Sequence, residues 1–197
     1  MNHQTDSYYI EKIKEGHTQS FNMLVQRYER LVFGLTIKMM KHREEAEEAA
    51  QDTFIKAFKS LKSYKGDAKF STWVYRIAYN TCLDRLKGNA KFVKNVEINE
   101  IIENQLEDTS NVFESLTRDE RKDIVQECMN QLPVDERAVL HLFYFEENSL
   151  KEITEITALS NNNVKVKLHR ARKKLFTIFK NAVDHEIYSH YEQRAEG

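Results

Sequence analysis

The segment Ser63–Lys87 reads SYKGDAKFSTWVYRIAYNTCLDRLK and decides how the rest of the chain is interpreted. It opens with the loop signal Lys65-Gly66-Asp67 and continues with apolar residues at steps of three and four, which predicts a loop followed by a helix. The expected buried side of this helix consists of Val74, Ile77, Ala78 and Thr81. A second, polar and partly basic side consists of Trp73, Arg76, Asn80, Asp84 and Lys87.

Positive charge is concentrated around this segment. Residues 53–94 contain ten Lys or Arg and two acids, although the whole chain carries a formal net charge of -1. Cations hold a nucleic-acid backbone and aromatic rings stack on unpaired bases. The polar side of this helix, called the Trp73 stripe below, therefore indicates a surface that binds nucleic acid. The alternative is that Trp73 is an ordinary core anchor and the lysines are only solvated.

The composition predicts an all-α protein. Among 197 residues there are one Pro and five Gly, and 41% of the residues are hydrophobic, enough for one medium or two small domains.

The cysteines, Cys82 and Cys128, have no metal-ligand spacing and are expected to be small buried apolar residues. No apolar run approaches the roughly 20 residues of a membrane span and no signal-peptide core is present, so a cytoplasmic protein without a membrane partner is expected.

Two further helices are predicted in the N-terminal half. The first begins at Thr18, acting as its cap, and extends to about Met39; Gly34 inside it suggests a close contact with another helix. The second extends from about Glu44 to Leu61, with acids first and lysines last. This polarity complements the helix dipole, or else forms an acidic surface for a basic partner protein. The expected buried side of the second helix consists of Ala46, Ala50, Phe54, Ala57, Phe58 and Leu61.

The middle of the chain changes in character. Residues 95–116 contain six acids and no Lys, Arg or His, and their periodicity is weak, which predicts an acidic linker. Beyond it, Ser149 and Glu152 form a capping-box pattern at the start of a short helix. A turn at Ala158-Leu159-Ser160 and a final helix from Asn161 to Phe179 complete a predicted helix-turn-helix.

The final helix has the charge expected of a recognition helix. Residues 164–180 include seven Lys or Arg and no acid. Asn amides can read base edges in a major groove, and Lys or Arg can reach phosphates or guanine. The expected exposed face consists of Asn162, Lys165, Val166, His169, Arg172 and Lys173. The alternative is an ordinary amphipathic basic helix that packs on its own unit.

Four motifs, in order, resemble the extracytoplasmic-function (ECF) group of bacterial sigma-70 sigma factors. They are QDTF at 51–54, FSTWVYRIAYN at 70–80, LPVDER at 132–137 and VKVKLHRARKKL at 164–175. The resemblance implies two helical domains joined by the acidic linker. Residues 1–92 would be region 2-like, 93–118 the linker, 119–182 region 4-like, and 183–197 a tail of unknown role.

The resemblance also implies partners and site residues. The clamp helices of core RNA polymerase would be bound by Glu47, Glu48, Gln51, Asp52 and Phe54. The -10 promoter element would be contacted by Tyr64, Lys65, Lys69, Trp73, Arg76 and Asn80. The -35 element would be read by Asn161, Asn162, Lys165, Val166, His169, Arg170, Arg172 and Lys173. The polymerase flap and an anti-sigma factor are further implied partners.

This chain departs from the family pattern at the helix-turn-helix. The family often has Gly in the turn and Gly-Thr at the start of the recognition helix, where this chain has Ala158 and Asn162-Asn163. The resemblance therefore implies the fold of this unit but no particular -35 sequence.

Three function classes follow from these observations. The first is a promoter-specificity subunit with no catalysis, cofactor or metal of its own. The second is a stand-alone helix-turn-helix regulator, which leaves the Trp73 stripe without a purpose. The third is a helical metal hydrolase, which the seven scattered histidines disfavour because no pair has i, i+4 ligand spacing.

Overall fold

The computed structural model describes the backbone of residues 4–88 and 118–195, and the side chains of residues 4–88 and 123–182. Within these ranges there are eight α-helices and no strand, so the all-α prediction is confirmed. The N-terminal unit contains α1 (Asp6–Lys14), α2 (Phe21–Met40), α3 (Arg43–Ser60) and α4 (Phe70–Gly88). The C-terminal unit contains α5 (Arg118–Gln131), α6 (Val134–Tyr144), α7 (Leu150–Thr157) and α8 (Asn161–Ala195).

The N-terminal unit is a bundle centred on α2, which packs against α3 and α4. Apolar residues of α2 recur at steps of three and four, and Leu24, Val32 and Leu35 are fully buried. Small residues on α3, such as Ala46 and Ala57, are also fully buried. Because a methyl side chain occupies little space, α3 can approach its neighbours closely.

The start of α2 differs from the prediction. A short 3-10 turn, Thr18–Ser20, precedes the helix, and α2 begins at Phe21 without a side-chain cap. Thr18 therefore does not act as the cap of this helix. Gly16, at a φ of 106°, adopts a backbone conformation that favours glycine and ends the preceding α1 segment.

The C-terminal unit is organised around α8, which packs against α5, α6 and α7. The predicted apolar face of α8 is present: Val164 and Ala171 are fully buried and Leu168 nearly so. They meet Ile153 and Ile156 in a common apolar core. Burial of this face fixes which side of α8 remains available to solvent.

Helix α8 continues to Ala195, beyond the predicted end at Phe179. Residues 161–195 contain neither Pro nor Gly, so no residue type that commonly stops a helix interrupts them. The side chains of the tail, 183–197, lie outside the described residues, as does the predicted linker apart from the backbone of Arg118.

The two units pack against each other, α2 on α6 and α4 on α7. At the first contact, Gly34 lies against His141, and a Cβ atom at Gly34 would be 3.5 Å from the His141 Nε2 atom. The close helix contact predicted at Gly34 is therefore present, and its partner belongs to the other unit.

Both cysteines are buried, as predicted. In the parts of the chain that the structure describes, no helix combines the length and apolar character that a membrane span requires.

Candidate nucleic-acid interface

The surface predicted to hold the -10 strand lies on α4 and the loop before it. Arg76 and Asn80 are exposed one turn apart on α4, and Lys65 and Lys69 are exposed on the loop. Cations and an amide are therefore accessible along α4 and the loop that leads into it. This arrangement suits an extended, negatively charged strand.

An aromatic cluster supports that surface. The Trp73 ring lies 5.2 Å from the Tyr64 ring and 5.3 Å from the Phe70 ring, measured between centroids. Phe70 is almost fully buried, whereas Trp73 and Tyr64 are half-buried. The Tyr64 hydroxyl donates a 2.6 Å hydrogen bond to the Ala68 carbonyl and thereby closes the loop. Trp73 is thus both a core anchor and a partly accessible ring, so the two interpretations of this residue are compatible.

Lys69 has a partner that the sequence did not reveal. Its Nζ atom lies 2.8 Å from Glu152 Oε1 on α7, although 76% of the Lys69 side chain is exposed. The hydrogen bond to Glu152 raises the pKa of Lys69. A residue predicted to contact DNA is therefore paired with a carboxylate of the other unit.

The surface predicted to bind polymerase lies on α3. Glu47, Glu48 and Gln51 are exposed, whereas Asp52 and Phe54 are half-buried. Arg85 of α4 organises two of the acids: its Nη1 lies 2.9 Å from Glu48 Oε2, and its Nη2 lies 2.5 Å from Asp52 Oδ2. The acidic face of α3 is thus held in place by a cation from the neighbouring helix.

The sequence analysis assigned Phe58 of α3 to the wrong side and made no assignment for Ile55. Phe58 was expected inside but is 40% exposed, and Ile55 is 51% exposed beside Gln51. Phe58 packs at the surface, where its ring meets the Phe21 ring edge-on at 5.1 Å. The spacing of Gln51, Ile55 and Lys59 at steps of four could have identified Ile55 as part of the polar face.

The helix-turn-helix is built as the sequence predicted. The Ser149 side chain accepts from the Glu152 backbone N–H, and the Glu152 side chain accepts from the Ser149 backbone N–H, which completes the capping box. Helix α7 ends at Thr157, and the residue that follows, Ala158, has a left-handed φ of 57°. Ser160 Oγ then accepts from the Asn163 backbone N–H and satisfies one free donor in the first turn of α8.

All eight predicted -35 residues are exposed on α8. Two other cations of the helix face inward: Lys167 pairs with Asp135, and Lys174 lies 3.0 Å from Glu136 Oε1. These ion pairs hold α8 against α6. Of the cations predicted to contact DNA, Lys165, Arg170 and Lys173 are exposed. Arg172 is also exposed, but it lies at the edge of α6, where its Nη1 donates to the Tyr144 hydroxyl at 3.4 Å.

An apolar groove of about 400 Å³ lies between α5, α6 and α8. It is lined mainly by apolar side chains, among them Val125, Met129, Leu140, Phe145, Leu175 and Phe176. Phe145 is 60% exposed and Phe176 is 42% exposed, so large rings face solvent at its edge. Such a patch is typical of a docking site for another protein.

Among the described residues, no three His, Cys, Asp or Glu side chains gather into a group that could hold a metal ion.

Comparison with protein families identifies both units. Residues 24–92 match the family described as Sigma-70 region 2, and residues 122–175 match the family described as Sigma-70, region 4. The first match contains α4 and its loop, and the second contains the helix-turn-helix.

Relatives align over most of the chain. The RNA polymerase sigma-H factor of Pseudomonas aeruginosa is 30% identical over 176 residues, covering 86% of this chain and 91% of the relative. The ECF RNA polymerase sigma factor SigW of Bacillus subtilis is 31% identical over 172 residues, covering 84% of this chain and 92% of the relative.

Two solved structures share the fold. CnrH, in complex with the cytosolic domain of CnrY, matches with a TM-score of 0.64 and 20% identity, covering 90% of this chain and 99% of that chain. The sigma factor RpoE of Bartonella quintana, in complex with the anti-sigma factor NepR, matches with a TM-score of 0.60 and 18% identity, covering 82% of this chain and 98% of that chain.

Proposed function

Because this chain belongs to the extracytoplasmic-function group of sigma-70 RNA polymerase sigma factors, we propose that its two helical units divide a promoter between them. Its function is to direct core RNA polymerase to promoters at transcription initiation. A stand-alone helix-turn-helix regulator would not account for the region 2 match over residues 24–92. In this proposal residues 1–92 bind polymerase and the -10 element, and residues 119–182 bind the -35 element.

The observation that carries this division is the presence of two separate cation-bearing surfaces in one chain. One surface combines Arg76 and Asn80 with a half-buried tryptophan, which suits unpaired bases. The other is the outward face of α8, which suits a major groove. Polymerase supplies the chemistry, so we assign no catalytic residue to this chain.

Promoter opening by the N-terminal unit depends on several captured bases. Unstacking a base step costs a few kcal/mol, while stacking on an aromatic side chain contributes about 1–3 kcal/mol per base. Trp73 would support the edge of the opened region, and Arg76 and Asn80 would hold the strand. Because one captured base does not offset the cost of opening, the free chain should melt DNA poorly without polymerase.

Polymerase would contact two surfaces in this proposal. The first is the exposed part of α3, where Glu47, Glu48 and Gln51 precede the exposed Ile55 and would meet the clamp helices. An apolar residue among acids provides both buried area and orientation in an interface. The second is the apolar groove between α5, α6 and α8, which would receive the flap.

An anti-sigma factor is a further proposed partner. Bartonella quintana RpoE was solved in complex with the anti-sigma factor NepR, and CnrH was solved in complex with the cytosolic domain of CnrY. We extend that kind of partner to this chain because the fold is shared.

In vitro transcription from a library of random upstream sequences tests the proposed function. Core RNA polymerase is given this library with and without the purified chain, and the 5′ ends of the RNA are sequenced. Defined start sites that arise only with the chain support the proposal. Polymerase that neither binds the chain nor starts at new positions would overturn it, and sequence-specific duplex binding without polymerase would favour a regulator.

A further inference from the structure

We propose that helix α1 positions the -10 surface, and that two of its residues, Asp6 and Lys14, hold Trp73 and the loop before α4 in the arrangement that captures an unpaired base. This helix lies outside the region 2 match, which begins at residue 24. It contains none of the residues proposed to contact DNA or polymerase. The inference rests on the proposed function and adds residues that act on the -10 surface without touching the promoter.

The last residue of α1 contacts the loop before α4 directly. Lys14 is exposed, and its Nζ atom donates to the Tyr64 carbonyl at 2.9 Å. Tyr64 follows the short 3-10 turn Leu61–Ser63, where the chain leaves α3 and enters the loop. Hydrogen bonds from a charged donor are stronger than neutral ones, so this bond restrains the backbone of the loop. Lys14 thereby holds the residue whose ring meets Trp73.

The first residue of α1 reaches the same aromatic cluster through α2. Asp6 accepts a hydrogen bond from the Tyr28 hydroxyl and pairs with Arg27. The Tyr28 ring lies 5.2 Å from the Phe70 ring, and the Phe70 ring lies 5.3 Å from the Trp73 ring, measured between centroids. Asp6 therefore fixes the first ring in a series of three that ends at Trp73.

Burial makes this series of rings respond as a unit. Tyr28 and Phe70 are buried, and close-packed side chains transmit a displacement because they have no free space to absorb it. Burial, followed by the hydrogen bond to Asp6, raises the pKa of Tyr28, so its hydroxyl keeps the proton that it donates. Loss of the bond to Asp6 would leave this donor without its acceptor and allow the ring to turn.

Helix α1 is itself held firmly on the bundle. Ile10 and Ile13 are buried against it. The Arg27 guanidinium lies over the Tyr9 ring at 5.6 Å, and its Nη2 donates to the Gln4 carbonyl at 2.8 Å. A group can position another only if its own place is fixed by packing and hydrogen bonds. Helix α1 meets this condition at both of its ends.

A positioning role predicts a specific division of effects. Stacking of a base on Trp73 depends on where the ring lies, because catalytic and binding groups lose effect when they are displaced by about 1 Å. Duplex binding through exposed cations depends far less on the exact place of one ring. Variants of α1 should therefore reduce promoter opening more than promoter binding.

Fluorescence of the full chain tests the positioning without polymerase. Trp73 is the only tryptophan, so its emission reports on that ring alone. The variants are Lys14→Met, which removes the ammonium, and Tyr28→Phe, which keeps the ring but removes the hydroxyl that binds Asp6. We expect each to shift the emission to longer wavelength and to raise the quenching constant of acrylamide about twofold, because a loop that loses a hydrogen bond opens more often.

Two matched controls remove the same groups elsewhere on α1. Lys12→Met removes an ammonium that pairs with Glu15 of the same segment at 2.8 Å, and Tyr8→Phe removes the hydroxyl of a ring that is 41% exposed. Both should leave the emission of Trp73 unchanged. Lys14→Arg keeps a cationic donor and should restore the behaviour of the unchanged protein. Because Lys14 is exposed, its variants should fold even if Tyr28→Phe does not.

Promoter opening with core polymerase completes the test. We expect Lys14→Met to reduce the permanganate reactivity of unpaired thymines about threefold and to change the gel shift of the polymerase complex less than twofold. The proposal is overturned if Lys14→Met leaves the fluorescence unchanged, if Lys12→Met alters it equally, or if the ring moves without any loss of opening. If the unchanged chain opens no promoter with polymerase, the proposed function fails, whereas the fluorescence still tests whether α1 holds Trp73.

Discussion

Trp73 is the residue on which proposed strand opening most depends. We expect Trp73→Ala to reduce promoter opening fivefold or more, because stacking contributes about 1–3 kcal/mol per base, while duplex binding changes less than twofold. Permanganate reactivity of unpaired thymines measures opening, and a gel shift of the polymerase complex measures binding. Trp73→Phe keeps an aromatic ring and is the control. Equal loss of opening and binding in the alanine variant would contradict the assigned role.

Ala158 adopts a conformation that a glycine would occupy with less strain. Its φ of 57° and ψ of 19° are left-handed, which costs a residue with a Cβ roughly 1–2 kcal/mol. Because glycine loses more entropy on folding, we expect Ala158→Gly to increase the free energy of unfolding by about 0.5–1 kcal/mol. Urea unfolding provides the measurement. Glu147, with a φ of 51°, is a second position where substitution by Gly should act in the same direction.

At the scale of single residues, the sequence predicted which side chains are exposed better than it predicted which side chains contact each other. The periodicity of α8 correctly separated buried Val164 from exposed Lys165, because one face of an amphipathic helix must be covered. It could not reveal that Lys69 meets Glu152, since their positions are far apart in the chain and no local pattern encodes the contact. For the same reason the organising role of Arg85 on α3 was not predicted.

At the scale of elements, the exposed face of α8 should determine -35 binding. We expect Lys165→Glu to weaken binding of the polymerase complex to -35 DNA at least tenfold, because a phosphate or base contact becomes a repulsion. The slope of log affinity against log salt concentration should also become smaller in magnitude by about one, because one phosphate contact is lost. Arg30→Glu makes the same charge change at an exposed position of α2, outside the proposed surfaces, and is the control. An equal effect of both variants would indicate only a loss of overall positive charge.

The contribution of Glu152, at the start of α7, to the free energy of unfolding should decrease at acid pH. The hydrogen bond from Lys69, followed by the bonds from Ser149, lowers the pKa of Glu152 to about 2. A carboxyl with a lowered folded pKa stabilises the protein above its unfolded pKa of about 4.3, and this stabilisation is lost as the pH falls towards 2. Compared with Glu152→Gln, the unchanged protein should therefore lose its advantage between about pH 4.5 and pH 2. Urea unfolding over this range tests it, with Glu147→Gln as the charge control.

Helix identities were easier to predict than helix ends. The capping box at Ser149 and Glu152 located the start of α7 correctly, because the signal is local and specific. Thr18 presented a weaker cap signal, and the chain forms a 3-10 turn there instead. The extension of α8 was missed because the apolar periodicity fades after Phe179, although nothing in residues 180–195 breaks a helix.

At the scale of the whole molecule, Gly34 sets how closely the units approach. A Cβ atom at this position would meet His141 at 3.5 Å, an ordinary contact, so Gly34→Ala should be tolerated. We expect Gly34→Leu to push α2 away from α6 and increase the radius of gyration by several ångström, since the larger side chain has no space. Small-angle X-ray scattering measures this change. An unchanged radius for the leucine variant would indicate that the contact adapts.

The sequence predicted two helical units and the exposed face of α8, but not how the units meet. Local periodicity identifies a helix and its buried face, whereas the docking of α4 on α7 depends on side chains distant in sequence. Tyr75 illustrates the limit: it lies inside the segment quoted first, yet its burial and its bond to Glu146 follow from the other unit.

The burial of both cysteines limits how readily an oxidant can react with this chain. Burial raises the pKa of the Cys82 thiol to about 12 and raises that of Cys128 as well. Thiolates react with peroxide and thiols hardly do, so neither side chain should form a sulfenic acid while the protein is folded. A signal that acts by oxidising a cysteine would therefore have to reach this sigma factor through another molecule.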